Sequence, residues 1–122
     1  MKSFTVSLLL AALLLGCIVL NNLYINCLAD RLLDQLDALP PLDDEHCIEQ
    51  VDALLANWDA EVEYVRLSVC YPVVDRVCEQ ATTLLACAEC HDLYGYRTAL
   101  ALLRDAIGDM RRLEVLSISN IL

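Results

Sequence analysis

The sequence predicts an all-α protein: an N-terminal transmembrane helix that extends into an amphipathic helix, followed by about three antiparallel helices in a small bundle. Three observations predict this. Residues 4–20 contain no charged residue and no proline. Beyond them, apolar side chains recur at helical spacing in four further stretches. Finally, no stretch alternates apolar and polar residues as a strand does, and glycine and proline occur only three times each.

The first element is the apolar stretch, and it is long enough to cross a membrane when its flank is included. A bilayer core of about 30 Å needs about 20 helical residues at about 1.5 Å each. Leu23, Tyr24 and Ile25 resume the apolar character after two asparagines, and Tyr24 suits the headgroup region. We therefore interpret residues 1–25 as an uncleaved signal-anchor and residues 26–122 as an exported acidic helical domain.

Cleavage is the alternative to an anchor. Leu14-Leu15-Gly16-Cys17 resembles a bacterial lipoprotein signal, in which Cys17 would be lipidated and become the first residue. An ordinary cleaved signal peptide is the other possibility. The apolar run continues past Cys17, and no Ala-x-Ala site closes it, which favours the anchor. All three interpretations export the same region.

Charge indicates the orientation and narrows the partners. Lys2 and the terminal amine precede the span, whereas acids dominate after it, so the positive-inside rule places the N-terminus in the cytoplasm. We expect a single-pass protein of the bacterial cytoplasmic membrane with most of the chain outside. The formal net charge of −10 argues against binding nucleic acid or anionic lipid, because both need basic patches.

The remaining elements follow in order. Beyond the span, one face carries Leu28, Leu32, Leu36 and Leu39, and Pro40-Pro41 ends that helix. Asp43-Asp44-Glu45 predicts the start of the next helix, because acids favour a helix N-terminus. Three apolar stripes then predict three helices: Ile48, Val51, Leu54, Leu55, Trp58, Val62, Val65 and Val69; Val73, Val74, Val77, Ala81, Leu84, Leu85 and Ala88; and Leu100, Leu103, Ile107, Met110 and Leu113.

The boundaries between these helices are predicted by proline and by capping residues. Pro72 suits a first helical turn. Residues 91–96 form the next break, with Asp92 as an N-cap. Trp58 is expected to be a core residue, and residues 116–122 are apolar enough to dock on the bundle.

The order of these elements resembles a bacterial family of small, single-span, membrane-anchored helical proteins of unknown function. The resemblance lies in the N-terminal span, the segment Leu54-Leu55-Ala56-Asn57-Trp58, the segment 99–103 and the closing segment 113–122. It covers nearly the whole chain, and the closing segment is its most specific part. It implies the same architecture and no catalytic residues. The cysteines of this chain depart from the family pattern.

Six of the seven cysteines lie outside the span: Cys27, Cys47, Cys70, Cys78, Cys87 and Cys90. An even number in an exported domain is compatible with three disulfides. Because the sequence is mostly regular helix rather than loop, we expect mostly free, buried thiols instead.

The sharpest chemical motif is Cys87-Ala88-Glu89-Cys90-His91. Cys-x-x-Cys-His is the attachment sequence for c-type haem, in which two thioethers hold the porphyrin and the histidine is an axial ligand. His46 or Met110 would be the opposite ligand. The same cysteines could instead form a redox dithiol, although such pairs favour a helix N-terminus. Zinc would need Cys87, Cys90 and His91 together with His46 or Cys47.

No sequence motif of hydrolytic catalysis or phosphate binding is present. We therefore expect a non-enzymatic interaction or structural module of the bacterial envelope, without catalytic residues, bound metal or cofactor. Its expected partners are membrane lipid, through the span, and another envelope protein or a second copy of itself. The alternative is a small membrane-bound c-type haem electron carrier that uses Cys87, Cys90 and His91.

Overall fold

Four helices ordered along the chain make up the described part of the fold. The computed structural model describes the backbone of residues 1–67 and 71–121, and the side chains of residues 1–67 and 72–112. The helices are α1 (Lys2–Asp37), α2 (Cys47–Arg66), α3 (Tyr71–Glu89) and α4 (Leu93–Ile121). Each packs against two others, in the ring α1–α2–α3–α4, and the described residues contain no strand. The all-α architecture predicted from the sequence is confirmed.

Helix α1 has a free half and a packed half. Along residues 4–23 the large apolar side chains other than the half-buried Ile18 are exposed, and no residue of the most apolar 18-residue window of α1 is buried. No charged residue occurs between Lys2 and Asp30. Among the described residues, α1 is the one helix long and apolar enough to cross a membrane. Burial begins at Ile25, which the sequence interpretation assigned to the anchor and which is fully buried in the bundle.

The bundle core is made of the predicted stripes with a few additions. Its buried side chains on α1 are Ile25, Leu28, Ala29, Leu32 and Leu36; on α2, Cys47, Val51, Leu54, Trp58, Val62 and Val65; on α3, Val74, Val77, Ala81, Leu84 and Ala88; and on α4, Tyr96, Ala99, Leu103, Ala106, Ile107 and Met110. The predicted core role of Trp58 is confirmed. Val69, the side chain of Leu113 and the expected docking of residues 116–122 lie outside the described residues.

The connection between α1 and α2 differs from the prediction. Helix α1 ends at Asp37, shortly before Pro40-Pro41 as expected, but α2 begins at Cys47 and not at Asp43. The Asp44 Oδ1 accepts the His46 N–H at 2.8 Å, and the Asp44 N–H donates to the Pro41 carbonyl at 3.0 Å. These bonds hold the acids in a turn before the helix, because an aspartate can satisfy a nearby backbone donor outside helical geometry.

Ion pairs fix the register of the long helices. Arg104 of α4 lies 2.5 Å from Asp37 of α1, and Arg111 pairs with Asp30. Both partners shift by seven residues, in opposite directions, so α1 and α4 run antiparallel. We call the end at which α1 leaves the bundle the proximal end; it includes the C-terminus of α2 and the N-terminus of α3. The distal end holds the α1–α2 turn, the C-terminus of α3 and the N-terminus of α4.

Candidate functional site

The Cys-x-x-Cys-His motif lies at the distal end, where α3 stops. The His91 N–H donates to the Ala88 carbonyl at 3.3 Å, and the Asp92 N–H donates to the Cys87 carbonyl at 3.0 Å. These are the two bonds of a Schellman motif, and they require a left-handed residue just after the helix. His91 is that residue, with φ 55°. The backbone role of His91 is therefore to end α3.

Helix α4 begins immediately after this turn. The Asp92 Oδ1 accepts the Gly95 N–H at 3.0 Å, which confirms Asp92 as the predicted N-cap. The prediction that residues 91–96 interrupt the helices is wrong beyond Asp92, because α4 already begins at Leu93. A Cβ added at Gly95 would lie 2.6 Å from the Asp92 Oδ2 and 2.8 Å from the Cys87 Sγ. The two helices thus meet closely at Gly95.

The three motif residues differ in accessibility. Cys90 and His91 are exposed, whereas Cys87 is half-buried, with its thiol against Gly95 of α4. A thioether at Cys87 would have to enter this close helix contact. The turn therefore presents two accessible ligand groups, Cys90 and His91, and a third that is packed, which is a poor fit to a covalently attached porphyrin.

The two proposed opposite ligands lie at different ends of the bundle. His46 is at the distal end, just before α2, with its Nδ1 3.4 Å from the Glu49 Oε2. Met110 is fully buried in the proximal half of α4. It lies 17 residues beyond Leu93, which is about 25 Å along a helix. Met110 is therefore too distant to share a haem with His91.

Two of the remaining described cysteines, Cys47 and Cys78, take part in packing and hydrogen bonding. The Cys47 thiol donates to the Tyr96 Oη at 3.4 Å in the core, and the Trp58 Nε1–H donates to the Cys78 Sγ at 3.2 Å. Outside the span Cys27 and Cys90 are exposed, so the expectation of buried thiols there holds only in part; Cys17, within the span, is exposed as well. All six cysteines of the described part are free thiols. In that same part, no group of three His, Cys, Asp or Glu side chains is placed to hold a metal ion.

The distal end also carries a groove and, beside it, a cluster of acidic residues. The groove, about 470 Å³ in volume, lies between the α1–α2 turn and the start of α4, and its lining includes Pro41, Leu42, Asp43, Tyr96 and Arg97. Beside it the turn and first turn of α2 hold four acids and no Lys or Arg: Asp43, Asp44, Glu45 and Glu49. Sequence reasoning found the acids but not the groove, because the groove depends on where α4 begins.

A second polar cluster lies at the proximal end, between α1 and α2. The Tyr24 hydroxyl donates to the Glu61 Oε2, and an Arg31 nitrogen lies 3.9 Å from the Glu61 Oε1. Next to them is an open cavity of about 360 Å³, lined by Asn21, Tyr24, Glu61, Tyr64 and Leu67. The sequence indicated the interfacial role of Tyr24 but not its partner, since residues 37 positions apart meet only through the fold.

Among the side chains that the structure describes, two ionisable groups outside the span have clearly shifted pKa values. Burial, together with the Cys47 hydrogen bond, raises the pKa of Tyr96. Hydrogen bonds from Arg112 and Arg76 lower the pKa of Asp109. Both shifts favour the form that the group already has at neutral pH, so neither prepares the group to exchange a proton there.

Comparisons with protein-family models, with curated proteins and with solved structures return no match for this chain.

Proposed function

We propose that this chain is a single-pass protein of the bacterial cytoplasmic membrane that holds a non-enzymatic, acidic helical bundle on the outer side, where the bundle binds another envelope protein. One observation carries the proposal. Helix α1 runs unbroken from an uncharged, exposed apolar half into the buried core of the bundle. A helix with this exposed apolar surface needs a lipid environment, and its continuity fixes the bundle to the membrane.

The length of the exposed half agrees with a membrane span. Large apolar side chains are exposed from Phe4 to Leu23, which is 20 residues or about 30 Å of helix. Lys2 at one end and Asp30 and Arg31 at the other are the nearest charges. The cation at the N-terminus supports a cytoplasmic N-terminus and an exported bundle.

The distal end supports a partner with positive charge. It is the part of the bundle farthest from the exposed half of α1, and it carries the acids of the α1–α2 turn beside the groove. Acidic surfaces attract basic partners and repel a second acidic copy, so charge favours a different protein over self-association.

Charged substitutions in the exposed half of α1 test the anchor. Leu9→Lys with Leu13→Lys places two charges at the centre of the span, each costing about 2.5–3.5 kcal/mol of insertion free energy. We expect the double variant to leave the carbonate-washed membrane fraction. Leu93→Lys with Leu102→Lys, two exposed leucines of α4, is the matched control and should stay in the membrane. An unchanged fractionation of the Leu9/Leu13 variant would refute the anchor.

Site-specific crosslinking in cells tests the partner. A photoreactive amino acid at Tyr94, an exposed distal residue, should give an adduct of defined mass, and the same group at the mid-bundle residue Thr83 should not. Neutralising Asp43, Asp44 and Glu45 to their amides should abolish the adduct. An adduct of twice the chain mass would show self-association instead, and the absence of any adduct would contradict a distal binding site.

A c-type haem carrier is the second candidate, because Cys87, Cys90 and His91 do share one turn and two of them are exposed. An absorption spectrum of protein purified from its own membranes separates the two functions. We expect no haem band, and no difference from a Cys87→Ser, Cys90→Ser variant. A Soret band that disappears in that variant would establish the electron carrier.

A further inference from the structure

The proximal end of the bundle offers a second contact with the membrane, separate from the span. Along α1 and α4, Asp37 pairs with Arg104 and Asp30 with Arg111. Continued along both helices, this register places Ile121, the last residue of α4, level with Leu20 of α1. The bundle thus reaches down to the level at which the exposed apolar half of α1 begins.

Helix α2 ends at the same level. Tyr64 and Leu67 line one cavity with Asn21 and Tyr24 of α1, so the C-terminal turn of α2 lies beside the boundary of the span. Both side chains are exposed, Leu67 at 85% and Tyr64 at 65% of their full surface. Leu67 is more exposed than the leucines of the free half of α1, although it lies at the end of a bundle helix.

The stretch around the C-terminal turn of α2 carries few charges, as expected of a segment that lies against a membrane. From residue 64 to residue 74 the single charged residue is Arg66, whereas the distal stretch 43–49 holds four acids and no Lys or Arg. An anionic lipid surface repels acids and tolerates cations, so this stretch suits a membrane better than the distal acids do. Glu61, which lines the proximal cavity, accepts the Tyr24 hydroxyl and lies near Arg31. Tyrosine is enriched at headgroup depth because its ring is apolar and its hydroxyl is polar.

We infer that the C-terminal turn of α2 rests in the bilayer interface, with Leu67 among the upper acyl chains and Tyr64 level with Tyr24 at the headgroups. The occupant of this exposed apolar surface is lipid, and the argument for lipid is its continuity with the apolar half of α1. The inference rests on the proposed membrane anchor. It adds that the bundle contacts the membrane at two places, the span and the C-terminal turn of α2. These two contacts hold the distal end at a fixed distance from the membrane.

Quenching by lipid tests the inference on the full chain in phosphatidylcholine vesicles. Each variant adds one tryptophan to the constant background of the buried Trp58: Leu67→Trp at the turn, Tyr94→Trp at the distal end and Leu13→Trp in the span. Lipid brominated on its acyl chains near the headgroup is the quencher for the turn and the distal end, and lipid brominated near the ends of its acyl chains is the quencher for Leu13→Trp. All three positions are exposed, so the bundle should stay folded, which far-UV circular dichroism checks.

We expect Leu67→Trp to lose most of its added emission in brominated vesicles, and Tyr94→Trp to lose none. If Leu13→Trp is quenched but Leu67→Trp is not, the anchor stands and the inference fails. A blue-shifted but unquenched Leu67→Trp would mean that protein, and not lipid, covers the turn, which also overturns it. If Leu13→Trp itself is unquenched, the proposed anchor fails.

Discussion

At the scale of single residues, His91 adopts an unfavourable backbone conformation in order to end α3. A left-handed backbone costs most residues about 1–2 kcal/mol, and glycine is usual at this position of a Schellman motif. His91 adopts it with φ 55° and holds two backbone hydrogen bonds that end α3. The side chain is exposed and contributes nothing to the core.

His91→Gly should therefore stabilise the protein. Part of the relieved strain is offset by the greater freedom of glycine in the unfolded chain, which leaves a gain of about 0.5–1 kcal/mol in the free energy of unfolding. Urea denaturation measures it. His46→Gly is the matched control, since His46 is also exposed but has φ −85°, and it should not stabilise. A destabilised His91→Gly would mean that the histidine side chain has a structural role.

Tyr96 provides a prediction at alkaline pH. Burial, with the Cys47 hydrogen bond, raises its pKa above the ordinary value of 10.0. Between the unfolded and folded pKa values the unfolded chain has lost this proton and the folded chain keeps it. The unfolded state then binds fewer protons, so the free energy of unfolding falls as pH rises above about 10.

Tyr96→Phe should make that decline shallower. Urea denaturation at about pH 9 and about pH 11 measures the decline. The variant also leaves the Cys47 thiol without its acceptor, and thiols can ionise in this pH range, so the comparison is made in a Cys47→Ala background. Tyr94→Phe, on the exposed neighbour, is the control. An identical decline in the Tyr96 variant and its Cys47→Ala parent would contradict the assignment.

At the scale of elements, the connection between α3 and α4 has the fewest residues of the three connections between consecutive helices. Three residues, Cys90 to Asp92, separate the two helices, with a Schellman motif on one side and an aspartate N-cap on the other. Gly95 permits this approach, because the Asp92 carboxylate and the Cys87 thiol occupy the space that a Cβ would need.

A pair of glycine substitutions on α4 tests this close approach. Gly108 has no atom within 4 Å of an added Cβ, so Gly108→Ala should stabilise the protein by about 0.5–1 kcal/mol through helix propensity. Gly95→Ala gains the same propensity but must displace the cap and the thiol, so we expect a net loss of about 1 kcal/mol. Thermal denaturation ranks the two variants. Equal stabilisation by both would show that α3 and α4 are farther apart at Gly95.

Sequence spacing predicted the helices well because each one buries a single stripe. Val74, Val77, Ala81, Leu84 and Ala88 are all buried as their spacing indicated. Sequence spacing failed to predict the start of α4, where the residue types suit a turn as well as a helix. A Leu-Tyr-Gly-Tyr run is typical of a turn, yet here it is the first turn of α4, because Asp92 caps it and Gly95 allows close packing.

The sequence predicted that the Cys-x-x-Cys-His motif lies at a helix end, but not which side chains surround it. Cys87, Cys90 and His91 are neighbours in sequence and share one turn, as any such motif at a helix end must. The packing of Cys87 against Gly95, the pairing of Cys47 with Tyr96 and the contact of Tyr24 with Glu61 all depend on helices that meet only in the fold. Spacing along one helix carries no information about them.

At the scale of the whole molecule, α1 belongs to two environments at once. Its N-terminal half has no protein contact that buries it, and its C-terminal half supplies Ile25, Leu28 and Leu32 to the core. Removal of the N-terminal half by cleavage after Gly16 would still leave the packed half in place. The proposed membrane anchor, in contrast, requires that both halves of α1 stay joined, because only then would the N-terminal half hold the bundle at a fixed position.

The most direct test of that requirement is the intact mass of the protein extracted from its own membranes without reductant. We predict a chain that still carries residues 1–16, without lipid or haem and with no loss of hydrogens, since the described cysteines are free thiols. A shorter chain that begins at Cys17 and carries lipid would contradict the uncleaved helix. A full chain heavier by one haem would contradict the binding module and make the protein an electron carrier.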